Sequence, residues 1–343
     1  TAWFAERVPT LAPPLRFELI AGGRSNLTFR VRDDAGGDWV LRRPPLGHVL
    51  ATAHDMGREH RIISALAPTN VPVAPTIGLC TDESVNGAPF YVMDHVEGLV
   101  LRDIPAAQAV SPEVRRRAGL SVAENLARIH AVDPDAVGLG DLGRKDGYIA
   151  RQLKRWNTQF EQARTREVPV VTEAHDRLAG AIPEQGPAAI VHGDYRLDNC
   201  MIGPDGDIVA VLDWEICTLG DPLADVGLLW VYWTDPGTTA ALPQSSPTSL
   251  EGFRTKDEMV AANQNVKAYI SDLDAYIQCI DAEAPKAPSD KEREKMSDDA
   301  KKQLVEAQKI ATEKHNAAVA EEEAIRDDWH LRLTAYKEKA AKQ

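Results

Sequence analysis

The stretch VHGDYRLDNCMI at 191–202 and the IVAVLDWE that follows it at 208–215 constrain this chain more than any other part of it. Runs of Val, Ile, Leu and Ala this short read as strands, and the intervening PDGD at 204–207 reads as a tight turn. Four polar residues are set into these apolar runs: His192, Asp194, Asn199 and Asp213. The first aspartate stands five residues ahead of the asparagine. A loop followed by a hairpin brings Asn199 and Asp213 to one edge.

Each of these residue types has work to do in phosphoryl transfer. That reaction needs a positioned hydroxyl and a cation clamped on the phosphates, with little covalent help from the protein. A carboxylate such as Asp194 can accept the proton of an attacking hydroxyl. The amide oxygen of Asn199 and the carboxylate of Asp213 are hard ligands suited to Mg²⁺.

The rest of the chain is organised around that centre. LRFELI (15–20), LTFRVRD (27–33) and DWVLRRP (38–44) predict a strand meander broken by Gly and Asp turns, with GGRSN (22–26) between the first two. MGREHRIISAL (56–66) has helical spacing, and 71–80 with 89–98 read as an extended pair. Ser111-Pro112-Glu113 is a helix start, with a capping hydroxyl and Pro at the first position. That helix is expected to reach about His130, with others over Tyr148 to Arg166, Thr172 to Ala181 and, buried, Pro222 to Trp233. Residues 235–250 form a Pro/Ser/Thr-rich connection, and 298–343 an Ala/Glu/Lys-rich helical tail open to self-association or a partner.

Several classes are set aside. The first twenty residues carry Glu6, Arg7, Pro9, Pro13 and Pro14 in place of a leader's apolar run, and the longest apolar stretch, 224–233, is far short of a membrane span. A soluble, cytoplasmic protein is expected. Cys80, Cys200, Cys217 and Cys279 are scattered and read as free thiols. The net charge of −13 argues against nucleic acid or an anionic membrane as partner. No G-x-x-x-x-G-K-[ST] and no G-x-S-x-G occurs.

H-x-D-x-x-x-x-N followed by an aspartate at a strand end resembles the catalytic set of protein kinases. The wording HGD…N…LDWE resembles the aminoglycoside phosphotransferase-like family, over about residues 15–260. Within that family, HGDYRLDN and GDPLADVG are most similar to the branch related to the kinase domain attached to some acyl-CoA dehydrogenases. The resemblance implies an α+β, two-lobed kinase-like fold. Residues 1–96 would be a small antiparallel-sheet nucleotide lobe, 97–280 a mostly helical catalytic lobe, and 281–343 an added polar tail. It implies ATP and Mg²⁺, with GTP left open, and a small hydroxylated acceptor of the hydroxyacyl-CoA type. An antibiotic acceptor and a non-catalytic nucleotide-binding scaffold are the competing readings.

Position by position, the resemblance makes Asp194 the base and Asn199 and Asp213 the metal ligands. Arg196 stands near the transferring phosphate, where it either meets that charge or braces the loop through a salt bridge, His192 braces the loop, and Asp225 anchors it from below. Gly22, Gly23, Ser25 and Asn26 belong to a flap over the phosphates. Arg42 takes the place of the usual strand Lys, with Glu59 as its ion-pair partner. Met93 lines the adenine pocket, and backbone groups from Asp94 to Val96 meet the adenine edge.

Overall fold

Trp3 and Phe4 on a short first helix, α1 (Ala2–Ala5), pack against one face of an antiparallel sheet with Val31, Trp39, Phe90 and Val92. The computed structural model describes residues 1–20, 26–46, 55–238 and 246–259. Strands β1 (Arg16–Ile20), β2 (Leu27–Arg32) and β3 (Asp38–Arg43) form the expected meander, with Thr28 opposite Arg42. The β2–β3 turn is held by Asp33, whose Oδ1 accepts from Gly37 N at 2.7 Å and Ala35 N at 3.0 Å. Helix α2 (Met56–Leu66) starts at Asp55, whose side chain accepts from Arg58 N at 3.0 Å. It buries Met56, Glu59, Ile62, Ile63 and Leu66.

β4 (Thr76–Cys80), the one-turn helix α3 (Glu83–Asn86) and β5 (Phe90–Asp94) complete the five-stranded sheet in the order β1-β2-β3-β5-β4. β5 therefore pairs with β3 as well as with its expected partner β4. Its buried Phe90, Tyr91 and Val92 suit that central place.

The following half is mostly helical. After β6 (Leu99–Val100) come α4 (Ile104–Gln108), α5 (Pro112–Ala131), α6 (Tyr148–Ala163) and α7 (Pro169–Ala179). α5 begins as the sequence predicts, with Ser111 Oγ accepting from Val114 N at 3.3 Å. Short strands β7 (Ala189–Val191), β8 (Cys200–Ile202), β9 (Ile208–Val211) and β10 (Thr218–Gly220) then precede α8 (Leu223–Tyr232). β6, β8 and β9 form one small sheet, and β7 and β10 another. A single apolar cluster joins Ile62 and Leu66 of α2 to Val122, Leu126 and Ile129 of α5 and to Ile190, Ile202 and Trp214 around the hairpin. Together 1–259 form one compact unit.

α8 differs from the expectation of a buried helix. Among the described residues it buries only Asp225 and Leu229, one turn apart, while Leu223, Val226, Trp230 and Val231 are exposed. A single stripe at i and i+4 docks it. The tail over 281–343 lies outside the described residues. Cys80, Cys200 and Cys217 are buried free thiols, and no helix among the described residues is long and apolar enough to cross a membrane.

Buried Arg115 ties the helical half together. Its Nε donates to Glu251 O at 2.8 Å, and its Nη1 to Ala107 O at 2.9 Å and Val110 O at 2.7 Å. Arg115→Met would leave these carbonyls without their cationic donor. It is expected to lower stability by ~2–4 kcal/mol, read from the shift of the urea unfolding midpoint.

Candidate active site

The β8–β9 hairpin does what its sequence predicts. Cys200 faces Val211, and Leu212 N donates to Asn199 O at 2.8 Å, so the ladder runs one step past the strands. Asn199 and Asp213 are thereby held at the same end, opposite the turn at Gly206. Asp213 is the one non-glycine residue among those described with a left-handed backbone, φ 64°. Asp tolerates that conformation better than most residues, and it persists where the surroundings over-determine it.

The loop before the hairpin is fixed from below by Asp225. Its Oδ2 accepts from His192 N and its Oδ1 from Gly193 N, both at 2.8 Å, and His130 Nε2 lies 3.1 Å from Oδ2. Gly193 has φ 87°, and a Cβ there would lie 3.1 Å from Ile216 O, so the tight turn requires glycine. His192 is fully buried. Its Nδ1 accepts from Asp194 N at 3.3 Å, which leaves Nε2 to donate to Leu212 O at 2.9 Å. Burial pushes its pKa down against the pull of Asp225, so the ring is a neutral brace between the loop and the end of β9.

Asp194 is gripped on both oxygens. Asn199 Nδ2 donates to Asp194 Oδ2 at 3.0 Å and to its backbone O at 2.8 Å, while Arg196 Nε lies 3.0 Å from Oδ1. With the Asn199 NH₂ used in this way, its carbonyl oxygen remains for a cation. Arg196 also reaches Asp198 Oδ2 at 3.1 Å, and its guanidinium lies 4.5 Å from the Tyr232 ring centroid. It forms part of the wall of a cleft lined also by Leu101, Leu197, Asp198, Trp233 and Thr248. Burial raises the Asp198 pKa in spite of Arg196.

Arg42 on β3 meets three carboxylates. Its Nε lies 3.1 Å from Glu59 Oε2, and its Nη2 donates to Asp213 Oδ1 at 2.7 Å and lies 3.7 Å from Glu215 Oε2. Burial opposes the Arg42 charge, but Glu59, Tyr91 and Asp213 outweigh it and hold the guanidinium above its ordinary value. Glu59 is 1% exposed, and neither of its oxygens is in a well-aligned hydrogen bond. Burial pushes its carboxyl up to about 7 against the pull of Arg42. Glu215 also accepts from Asn26 Nδ2 at 3.1 Å. Sequence reasoning passed over Glu215, although it stands two residues after Asp213 in the same LDWE.

Gly22, Gly23 and Ser25 lie outside the described residues. Asn26 is 4% exposed and turns its amide to Glu215. Met93 is half-buried against the main core. The N–H groups of Asp94 and His95 are already given to Pro75 O at 2.8 Å and Asp38 O at 3.2 Å.

Hard oxygens from Asp213 and Glu215 beside the Arg42 guanidinium, with Asn199 at the same end of the hairpin as Asp213, fit Mg²⁺, which is commonly held by one or two protein carboxylates together with substrate phosphates. No cluster of three or more His, Cys, Asp and Glu arranged for a metal occurs among the described residues.

The profile of the phosphotransferase enzyme family matches residues 16–247. Acyl-CoA dehydrogenase family member 10 of Mus musculus is 38% identical over 248 residues, covering 72% of this chain and 22% of that protein. Acyl-CoA dehydrogenase family member 11 of Homo sapiens is 32% identical over 241 residues, covering 70% and 31%. The chain thus spans about a fifth to a third of the length of these relatives. A crystal structure from Ralstonia eutropha JMP134, provisionally described as an aminoglycoside phosphotransferase, superposes with a TM-score of 0.63 at 36% identity, covering 75% of this chain and 76% of that one. The GDP complex of aminoglycoside 2'-phosphotransferase-IIIa shares the fold at 14% identity, with a TM-score of 0.52 over 65% of this chain and 74% of that one.

The buried Glu59 generates a pH prediction. Below its ordinary value of 4.5 it is protonated folded or unfolded, and above about 7 it is ionised in both. Between these limits only the folded chain keeps the proton, so its contribution to stability falls as pH rises from about 4.5 to about 7. Wild type is expected to lose ~2 kcal/mol more than Glu59→Gln between pH 5 and pH 8, measured by urea unfolding at each pH.

Proposed function

This chain belongs to the phosphotransferase enzyme family, and from that premise we propose that it moves the γ-phosphate of ATP onto a hydroxyl of a small molecule. The observation that carries the reading is Arg42, shared by Glu59, Asp213 and Glu215. It stands on the sheet side of a site whose loop side holds Asp194 through Asn199. A strand cation braced by a buried helix carboxylate is the arrangement a nucleotide's phosphates need, and the intact Asp194, Asn199 and Asp213 supply the rest.

Residues 1–96 act as the nucleotide lobe and 97–280 as the catalytic lobe. Asp194 accepts the proton of the attacking hydroxyl, oriented by Asn199 and Arg196. Asn199 and Asp213, with Glu215 beside Asp213, would hold Mg²⁺, which would supply positive charge against the phosphates. Arg42 takes the α- and β-phosphates, and Arg196 faces the charge of the group in transit. Met93 lines the adenine pocket. With the Asp94 and His95 N–H groups engaged in the protein, the Val96 N–H is the one the hinge offers to the base. GTP is the alternative nucleotide.

The cleft beside Arg196 is where the acceptor enters. Its walls mix apolar Leu101, Leu197, Leu229 and Trp233 with Arg102, Arg196 and Thr248, and Asp198, the one carboxylate on them among the described residues, is already paired with Arg196 at 3.1 Å. A polycationic aminoglycoside would ask for several unpaired carboxylates, so the lining favours a hydroxyl on an acyl-type acceptor. The relatives' acyl-CoA names and the HGDYRLDN wording agree with a hydroxyacyl-CoA. No dehydrogenase chemistry is carried over, since this chain spans only 22% and 31% of those proteins.

The test is Mg²⁺-dependent phosphate transfer from ATP and GTP over a panel of hydroxyacyl-CoAs, hydroxylated metabolites and aminoglycosides. Asp194→Asn is expected to cut turnover by ~10²–10⁴-fold with MgATP binding retained. Asp213→Ala is expected to lose the metal-dependent part of nucleotide binding. Equal MgATP binding by wild type and Asp194→Asn, with neither transferring phosphate to any acceptor, would establish a scaffold instead.

A further inference from the structure

α2 reaches both ends of the segment that carries Asp213 and Glu215. At the near end, Glu59 contacts Arg42 and Arg42 donates to Asp213 Oδ1 at 2.7 Å. At the far end, Arg58 Nη2 donates to Cys217 O at 2.8 Å and also to Leu142 O at 3.0 Å. Consecutive helix residues project about 100° apart, so Glu59 and Arg58 hold two different places from one turn of helix. Between them the chain passes through the left-handed Asp213, φ 64°, and a tight turn in which Cys217 N donates to Trp214 O at 3.1 Å. A non-glycine residue in that conformation costs free energy and persists because its surroundings leave no alternative. Arg42 contributes to that constraint at one end, and Arg58 does so at the other, beside the pairing of Thr218 with Val191.

We propose that Arg58 is a positioning residue of the nucleotide site, holding the 213–217 segment so that Asp213 and Glu215 present their carboxylates to the phosphate-bound cation. The proposal rests on the reading of Asp213 as a metal ligand.

Arg58 does more than dock the helix. Arg61, one turn further along α2, already fastens it to the turn at 138–142 through Gly138 O at 2.6 Å and through Asp141. Leu142 belongs to that same turn, so the bond to Leu142 O repeats an attachment made by Arg61. The bond to Cys217 O ends instead on the segment that carries the metal ligands, one residue before Thr218 pairs with Val191. Arg61 therefore serves as the control, anchoring the same helix without touching 213–217.

The experiment titrates the full chain with MgATP, and with ATP in excess EDTA, by calorimetry. The proteins are wild type, Arg58→Met, Arg58→Lys and Arg61→Met, with thermal melts in parallel. Arg58→Met is expected to weaken MgATP binding by about tenfold and to leave metal-free ATP binding unchanged. Arg58→Lys is expected to fall between the two, because an ammonium cannot reproduce the fork of a guanidinium. Arg61→Met is expected to lower the melting temperature and leave MgATP affinity within about twofold of wild type. MgATP affinity unchanged in Arg58→Met, or reduced as much in Arg61→Met, overturns the proposal. If Arg58→Met does not fold, wild-type affinity in Arg58→Lys overturns it. A wild type that binds no MgATP overturns the kinase reading itself, whereas normal wild-type binding beside an unaffected Arg58 variant removes this inference alone.

Discussion

One guanidinium holds the site together. Arg42 is on the third strand, Glu59 on the helix after it, and Asp213 and Glu215 on the segment beyond the hairpin, some 150 residues further along. Pulling any one carboxylate away from Arg42 leaves a buried or half-buried charge without its partner. That costs more than the pair contributes while intact. Sheet, helix and hairpin are thereby committed to a single relative placement at the point where phosphates are to bind. The excess of negative charge is part of the same design. Asp213 and Glu215 by themselves outnumber the one guanidinium and leave room for a further positive charge, and a nucleotide arriving with its metal brings one.

The lower side of the site follows a different principle. Asp225 is fully buried, and both its oxygens are spent on backbone N–H groups, at His192 and Gly193. His192 is fully buried too, and both ring nitrogens are occupied. These bonds fix the main chain so that Asp194, the next residue, stands out from a loop that has no freedom left. Asp194 and Asp213 are each about a third exposed. Asp225 and His192, which position the loop, are buried and fully bonded, whereas Asp194 and Asp213, assigned to chemistry, are open on one side. That division is what a preorganised site requires.

How much of this was legible in the sequence depended on the distance over which each bond acts. The five-residue step from Asp194 to Asn199 and the short hairpin to Asp213 are local, and spacing alone brought them together. The meander of the first three strands and the capped start at Ser111 were legible for the same reason. Glu59 and Arg42 lie 17 residues apart, and the family resemblance paired them where spacing could not. Glu215 was passed over because an acidic residue after a buried Trp reads as solvated surface. Only the arrival of Arg42 and Asn26 from the opposite sheet gives it a role. The bond from Arg58 to Cys217 O was beyond reach altogether, since a main-chain carbonyl carries no residue-type signal. The exposure of α8 was misjudged because its apolar residues surround the helix, and composition does not say which side is covered.

The departure of residue 42 from the usual kinase Lys now has a physical account. An ammonium is a point charge that satisfies one carboxylate well and shares itself poorly among three. A guanidinium carries several N–H donors, and here its Nε and its Nη2 face different elements. Nε addresses Glu59 on α2, while Nη2 addresses Asp213 and Glu215 beyond the hairpin. With Lys at this position the helix and the hairpin would compete for one charge, and whichever lost would keep a buried carboxylate unpaired. The second acidic residue of LDWE and the Arg of VLRR are therefore one feature: an extra carboxylate at 215 calls for a forked cation at 42.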